Sequence, residues 1–522
     1  MRLKRFFPSL VSGLLLGFAY PSYPEFPTGL LAWFAFVPIF VNTSRIKDLK
    51  TYFLMTIPVF LISGSLDFWW TALFSWTALL VCLTTQIWGV YLPLFLHYFV
   101  KRRYGWRISL ILLPFYWTLI DWLIHQLPHT LQVNNIAYTQ ANNIWLIQFS
   151  DMTGMWGITF SLICVNCLIA HAISFEDKLI FKWMRLVPVL LIFGGMLTYS
   201  FWVYKVKSSV VLGSERNTTK VAIVQTNIDS YSTDSTKESN VFNEIVQMSD
   251  SIVGKNKPDL IVLPEGAVAL PLFQNKSLLD FTKKAIASWQ TSVAIGFVEY
   301  PDTIKRNIFK NNALVFTPQL ATYWDSLKVK PEDVKVYQKE YGLPFVEVMP
   351  YCDDCQTLTG VQMQKGKDTW IFQYNNDEGE ISKVALTICW EQMYPQKLAS
   401  LVGEGAEFIA LMNNDAWFGT SAGAKQLQSF TRMRAIENRR SFVRCSNGGI
   451  SCFIDPYGQI SGRLPWFTST IGLQEVIKVN KISFYTKYPF LFVKLIAILL
   501  GVLLLYFERL KRKVINQNST KI

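Results

Sequence analysis

Histidine is scarce in this chain and missing from most of it. The four histidines are His97, His125, His129 and His171, and residues 172–522 contain none. For that stretch, a cysteine or serine activated by imidazole is excluded. A zinc site built on imidazole is excluded as well. No internal repeat is present, and the only low-complexity stretch is the tail 516–522. The first apolar run has a basic start but lacks a small-residue cleavage site. Pro21, Tyr23 and Pro24 follow it, so it reads as an uncleaved anchor and not as a removable signal peptide. The apolar runs are mostly Leu, Phe, Ile, Trp and Val. They offer few polar side chains for an ion path, which argues against a transporter or a non-enzymatic scaffold.

What the chain has in quantity is apolar surface. It is 51% hydrophobic and 15% aromatic, with mean hydropathy +0.24. Those values point to a polytopic membrane protein. Apolar segments at 6–24, 28–44, 52–68, 77–99, 106–125, 155–175, 185–205 and 487–507 make about eight predicted spans. Pro58 and Gly64 interrupt the third. The net charge of +13 would suit nucleic acid, but its positions argue otherwise. Arg2, Lys4 and Arg5 precede the first run, and Arg45, Lys47 and Lys50 separate the second from the third. Lys101, Arg102, Arg103 and Arg107 follow the fourth, Lys178, Lys182 and Arg185 precede the seventh, and Arg509, Lys511, Arg512 and Lys513 follow the eighth. With eight spans and both termini cytoplasmic, every cluster falls on the cytoplasmic side. The expected division is a membrane domain over residues 1–205, an extracytoplasmic domain over 206–486, and a last span with a cytoplasmic tail over 487–522. Disulfides are permissible on that outer face.

Within 219–475 short apolar runs alternate with helical patterns. Strands are predicted at 220–225, 260–263, 293–297, 313–316, 384–388, 408–412, 441–444 and 451–454, and helices at 238–253, 278–290, 394–403 and 424–438. That alternation predicts an α/β domain with strands buried on both faces.

Cys389 ends an apolar strand run and precedes a helix expected near Pro395. A strand–turn–helix placement exposes a thiol and surrounds it with backbone N–H groups. A buried, inert packing cysteine fits the same pattern. With no histidine nearby, a nucleophilic Cys389 needs a carboxylate, lysine or water as its base. Glu265 stands at a strand's C-terminal end, where partial burial would suit it to that task; a solvated loop glutamate is the alternative. Lys339 lies among Tyr337, Leu343, Pro344 and Phe345. It reads either as a charge beside a developing oxyanion or as an exposed lysine. Glu347 and Glu391 stand close in sequence, as orienting groups or as surface ion-pair partners.

Together these residues resemble the nitrilase, or carbon–nitrogen hydrolase, superfamily. The matching pieces are Leu-Pro-Glu (263–265), Tyr-Gln-Lys (337–339) with Leu-Pro-Phe-Val-Glu (343–347), and Ile-Cys-Trp-Glu (388–391). Val-Ala-Ile-Val-Gln-Thr-Asn-Ile (221–228), Asn-Asn-Asp-Ala-Trp-Phe-Gly (413–419), Arg-Met-Arg-Ala-Ile-Glu (432–437) and Ile-Asp-Pro-Tyr-Gly (454–458) narrow the resemblance to the apolipoprotein N-acyltransferase family. Departures are Tyr231-Ser-Thr-Asp, Val346 in place of a glycine, Trp390 in place of a tyrosine, and Lys425-Gln-Leu-Gln.

The resemblance implies an α-β-β-α sandwich with a Glu265–Lys339–Cys389 triad, inserted between the seventh and eighth of eight spans in a bacterial inner membrane. It implies ping-pong transfer of an acyl chain from a phospholipid, through a Cys389 thioester, to the α-amine of a diacylglyceryl-cysteine on a lipoprotein. Lys339 and a backbone N–H near Trp390 would bind the oxyanion, with Glu347, Glu391, Asn414 and Trp417 in support. No cofactor, metal or nucleic acid enters this reading, and a monomer in the bilayer is expected. A membrane-tethered amidase using the same triad is the alternative.

Other features carry two readings each. Trp417 and Phe418 line an acyl entrance or pack inside the sandwich. Cys352 and Cys355 form a small-loop disulfide or are free thiols. Asp121 and His125 are four apart in the fifth span, either functional or interfacial. Arg432, Arg434, Arg439, Arg440 and Arg444 bind lipid phosphate or make ion pairs such as one to Glu437.

Overall fold

The computed structural model describes residues 3–22, 28–73, 75–127, 130–175, 179–207, 217–228, 235–268, 271–301, 307–352 and 355–519. Arg2, Tyr23, Pro24, His129, Lys178, Tyr231 and residues 208–216 lie outside the described residues. The chain forms two compact units, Met1–Val203 with Tyr488–Ile522, and Tyr204–Lys487.

The first unit is helical. Six helices are long and apolar enough to cross a membrane: Leu49–Leu73, Trp76–Tyr104, Trp106–His125, Met155–Ile173, Ile180–Lys205 and Leu491–Lys513. The first two expected spans are shorter apolar helices, Phe6–Ala19 and Thr28–Thr43. Proline accounts for both differences. The first helix stops at Ala19, ahead of Pro21, because the residue before a proline is driven out of helical geometry. The second is a 3₁₀ turn, Thr28–Trp33, followed by a new helix, Val37–Thr43. Pro38 opens that helix, where a missing N–H costs nothing. Pro58, by contrast, sits inside the continuous helix Leu49–Phe68. That helix packs closely on the first: a Cβ on Gly13 would lie 3.0 Å from the Pro58 carbonyl oxygen, and one on Gly17 would lie 2.7 Å from Leu66 Cβ. Gly-x-x-x-Gly spacing provides this close approach between apolar helices.

The second unit is built on thirteen strands among the described residues. They are β1 (Thr218–Gln225), β2 (Leu260–Val262), β3 (Ser292–Glu299), β4 (Ile308–Phe316), β5 (Tyr337–Gln338), β6 (Gln362–Met363), β7 (Ile371–Asn375), β8 (Ile381–Ile388), β9 (Phe408–Asn413), β10 (Ser441–Ser446), β11 (Cys452–Ile454), β12 (Ile460–Ser461) and β13 (Thr470–Ile477). One sheet runs β13-β1-β2-β3-β4-β5, with β6 paired to β4; the other runs β12-β11-β10-β9-β8-β7. Side-chain alternation shows how they stack. Val384, Leu386, Ile388, Ala410, Met412, Val443 and Cys445 join residues of the first sheet in one core. Their neighbours Ala385, Ile409, Leu411 and Phe442 face the opposite way, onto Leu398, Leu401, Val402 and Ala435. Those four come from the helices Pro395–Gly403 and Ala422–Asn438. Ile245, Leu279 and Ile286 pack on the first sheet from the helices Ser235–Asn256 and Lys276–Trp289. The two sheets therefore share a core and carry helices on their outer faces. All eight expected strands and four expected helices are present, with ends shifted by a few residues.

Candidate active site

Three chain segments meet at the ends of the central strands. The first leaves β2 through Leu263 and Pro264 to Glu265. The Glu265 N–H donates to the Asn413 carbonyl at 3.3 Å. Gly296 in β3 permits this path, since a Cβ there would sit 2.6 Å from the Pro264 carbonyl oxygen.

The second segment follows β5. The Lys339 N–H donates to the Asn311 carbonyl and the Gly366 N–H to the Lys339 carbonyl, each at 2.8 Å. The Lys339 side chain is fully buried. Its Nζ donates to Glu265 Oε1 at 3.1 Å and to Glu347 Oε1 and Oε2 at 2.8 and 3.0 Å. Glu347 is fixed in turn by the Leu343 N–H, which donates to its Oε2 at 2.6 Å.

The third segment is the turn after β8. Cys389 has φ +51°, the left-handed region, and starts the 3₁₀ turn Cys389–Met393. A β-strand thus gives way abruptly to a turn and then to the helix at Pro395. Glu391 braces this corner. Its Oε2 accepts the Ile388 N–H at 2.8 Å, and its Oε1 accepts the Glu340 N–H at 2.9 Å, the Tyr341 N–H at 3.3 Å and the Tyr337 hydroxyl. One buried carboxylate therefore joins the cysteine turn to β5 and the segment after it, which carries Lys339.

Electrostatics make these groups interdependent. Burial pushes the Cys389 thiol well above its ordinary value; Glu265 adds to this and Lys339 opposes it. Burial also raises Glu265, against the pull of Lys339. Burial works against the Lys339 charge, yet Glu265 and Glu347 together hold its pKa well above the usual lysine range. The two carboxylates thus favour the charged form of Lys339, while burial favours the neutral forms of Glu265 and Cys389.

Residues 220–479 match the carbon-nitrogen hydrolase family, and residues 12–168 match the family described as apolipoprotein N-acyltransferase N-terminal domain. The chain belongs to the apolipoprotein N-acyltransferase family. The apolipoprotein N-acyltransferase of Chlorobaculum tepidum is 28% identical over 527 residues, covering 98% of this chain and 97% of its own length. That of Geobacter metallireducens is 24% identical over 493 residues, covering 92% and 91%. That of Borreliella burgdorferi is 22% identical over 547 residues, covering 100% of each. The N-terminal match counts against the amidase alternative.

The other residues singled out in the sequence find varied surroundings. Trp390 is buried next to Cys389, and its indole N–H has no partner among the described residues. Asn414 accepts from Asn447 Nδ2 at 3.2 Å. Trp417 is 44% exposed, so the reading that packs it inside the sandwich does not hold. Cys352 and Cys355 are joined as a disulfide. Arg434, Arg439, Arg440 and Arg444 are buried and so form no phosphate-binding surface, while Arg432 is partly buried and its Nε donates to the Gly458 carbonyl at 2.8 Å. Arg434 pairs with Glu437 at 3.2 Å, Arg444 pairs with Asp415, and Arg440 donates to the carbonyls of Ala406 and Lys481. Buried guanidinium groups need such partners, and these have them.

Sequence reasoning missed Asn311, whose Nδ2 donates to Glu265 Oε1 at 2.7 Å. Its position in β4 gives no local signal. Only the pairing of β4 with β5, Asn312 opposite Gln338, brings it beside Lys339 and Glu265.

Proposed function

We propose that this chain is an apolipoprotein N-acyltransferase working through a Glu265–Lys339–Cys389 triad. The observation that carries the reading is the buried Lys339 ammonium shared by Glu265 and Glu347. Glu265 takes the proton from Cys389 Sγ, and the thiolate attacks an ester carbonyl of a phospholipid. Lys339 and the Trp390 backbone N–H stabilise the oxyanion. Collapse expels the lysophospholipid alkoxide, which recovers the proton from Glu265, and leaves a thioester on Cys389. The amine of a diacylglyceryl-cysteine then attacks the thioester. Glu265 receives the amine's proton, an amide forms, and the departing thiolate is reprotonated. The covalent intermediate makes the kinetics ping-pong.

A membrane tether suits this chemistry. Drawing an acyl chain out of lipid costs about 0.8 kcal/mol per CH₂, so both lipid substrates are best met at the bilayer surface. The six long and two shorter apolar helices, with the basic clusters between them, support eight spans of a bacterial inner membrane. Both termini would then be cytoplasmic and 206–486 periplasmic. The working unit would be a monomer in the bilayer.

Intact-mass spectrometry of the native chain and Cys389→Ser, each with phospholipid, tests the reading. A hydroxylamine-labile acyl adduct is expected on the native chain alone, discharged by a diacylated lipopeptide into an N-acyl product. Discharge by water alone would favour an amidase or lipase. Absence of any adduct on folded native protein would sink the nucleophile assignment.

A further inference from the structure

Gln392 has no place in the triad, yet its buried side chain grips the cysteine turn. Its Nε2 donates to the Cys389 carbonyl oxygen at 3.0 Å. Its Oε1 accepts from the Thr431 hydroxyl at 2.6 Å and from Arg444 Nη1 at 3.4 Å. A guanidinium can only donate, so the amide cannot rotate to exchange its two ends. Arg444 is itself held on two other sides. Its Nη2 pairs with Asp415 Oδ2 and its Nε donates to the Ile450 carbonyl at 3.1 Å. Gln392, Thr431, Asp415 and Arg444 are all fully buried. An amide in this setting has one orientation, and that orientation points a donor at the Cys389 carbonyl.

The consequence comes from the peptide bond. The Cys389 carbonyl and the Trp390 N–H belong to one planar, trans unit, so they point in opposite directions. Fixing the carbonyl toward Gln392 fixes the Trp390 N–H on the opposite edge. Cys389 has left-handed φ, where a non-glycine residue is strained and stays only if its surroundings hold it. The Gln392 side chain adds its hold on this peptide unit to that of the 3₁₀ turn that Cys389 starts. We propose that Gln392, locked by Arg444 and Thr431, is a positioning residue that keeps the 389–390 peptide from flipping and so keeps the Trp390 N–H presented to the oxyanion. This rests on Cys389 being the nucleophile.

Two reactions of the same thiol separate this role from a general structural one. Acylation by phospholipid passes through an oxyanion, whereas alkylation by iodoacetamide does not. Both need the thiolate, so their ratio cancels changes in thiol ionisation. The full-length protein in detergent micelles is compared with Gln392→Met, which keeps the volume and removes the donor. Removing an oxyanion-hole donor costs about 10²–10³ in rate. Misorienting one is therefore expected to lower the acylation-to-alkylation ratio at least about tenfold, with KM for phospholipid little changed. Gln392→Glu keeps the acceptor for Thr431 and Arg444 but cannot donate to Cys389; it gives the same fall in ratio and serves if the Met variant does not fold. A parallel loss of both rates would overturn the proposal and make Gln392 a packing residue only. Unchanged rates would overturn it too. If native protein is alkylated at Cys389 but never acylated there, the nucleophile reading fails first.

Discussion

At the residue scale, the site depends on charges kept where water is scarce. A lone buried ammonium would lose its proton. Lys339 keeps it because two carboxylates share it, so it can stabilise negative charge but cannot donate a proton near neutral pH. Glu265 must be ionised to accept the thiol proton, and burial has raised its pKa. Acylation should therefore fall as pH drops through that raised value, above the ordinary glutamate range. The Asn311 hydrogen bond favours the charged form of Glu265. Asn311→Leu should move the acidic limb of the acylation profile to higher pH; a limb that stays or moves lower would refute the assignment. Glu265→Gln is expected to slow acylation by about 10²–10⁴, the usual worth of a general base. Glu391 is a different kind of residue. Removing it strands three backbone N–H groups and a tyrosine hydroxyl. At about 1–3 kcal/mol for each buried orphan, Glu391→Ala should cost at least about 3 kcal/mol in denaturant unfolding. An effect on rate without loss of stability would contradict that role.

At the scale of elements, the geometry rests on turns that leave strands early. β2 has three residues, and the chain departs from it to deliver Glu265. That departure needs the bare backbone of Gly296 in the neighbouring strand. Gly296→Ala should displace residues 264–265 and reduce acylation at least about tenfold while costing about 1–3 kcal/mol, the usual range for overpacking. A change in stability with full activity would mean that the turn adapts. The helix pair joined at Gly13 and Gly17 shows the same dependence on missing side chains in the membrane unit.

At the scale of the whole molecule, the disulfide and the long apolar helices bear on the proposed sidedness. A Cys352–Cys355 disulfide fits the periplasmic placement proposed for 206–486. Protein purified without reductant should take up no thiol reagent at either position until reduced, as read by peptide mass. In intact cells, single cysteines within 206–486 should react with a membrane-impermeant reagent, and one placed near Lys511 should not. The opposite pattern would invert the proposed topology.

The element pattern and the candidates for the reacting groups were legible in the sequence alone. Short, wholly apolar runs specify strands buried on both faces, long apolar runs predict membrane helices, and the absence of histidine beyond His171 leaves a carboxylate, lysine or water as the base for Cys389. Those signals are local or compositional, so they survive without coordinates. Asn311, Gln392 and the bracing role of Glu391 were not legible, because each acts across a gap in sequence that only strand pairing and turn geometry close. The sequence also left the arginines open between surface and interior. Tertiary packing decided that for Arg434, Arg440 and Arg444, because a guanidinium with no access to water must spend its donors on nearby carbonyls and carboxylates.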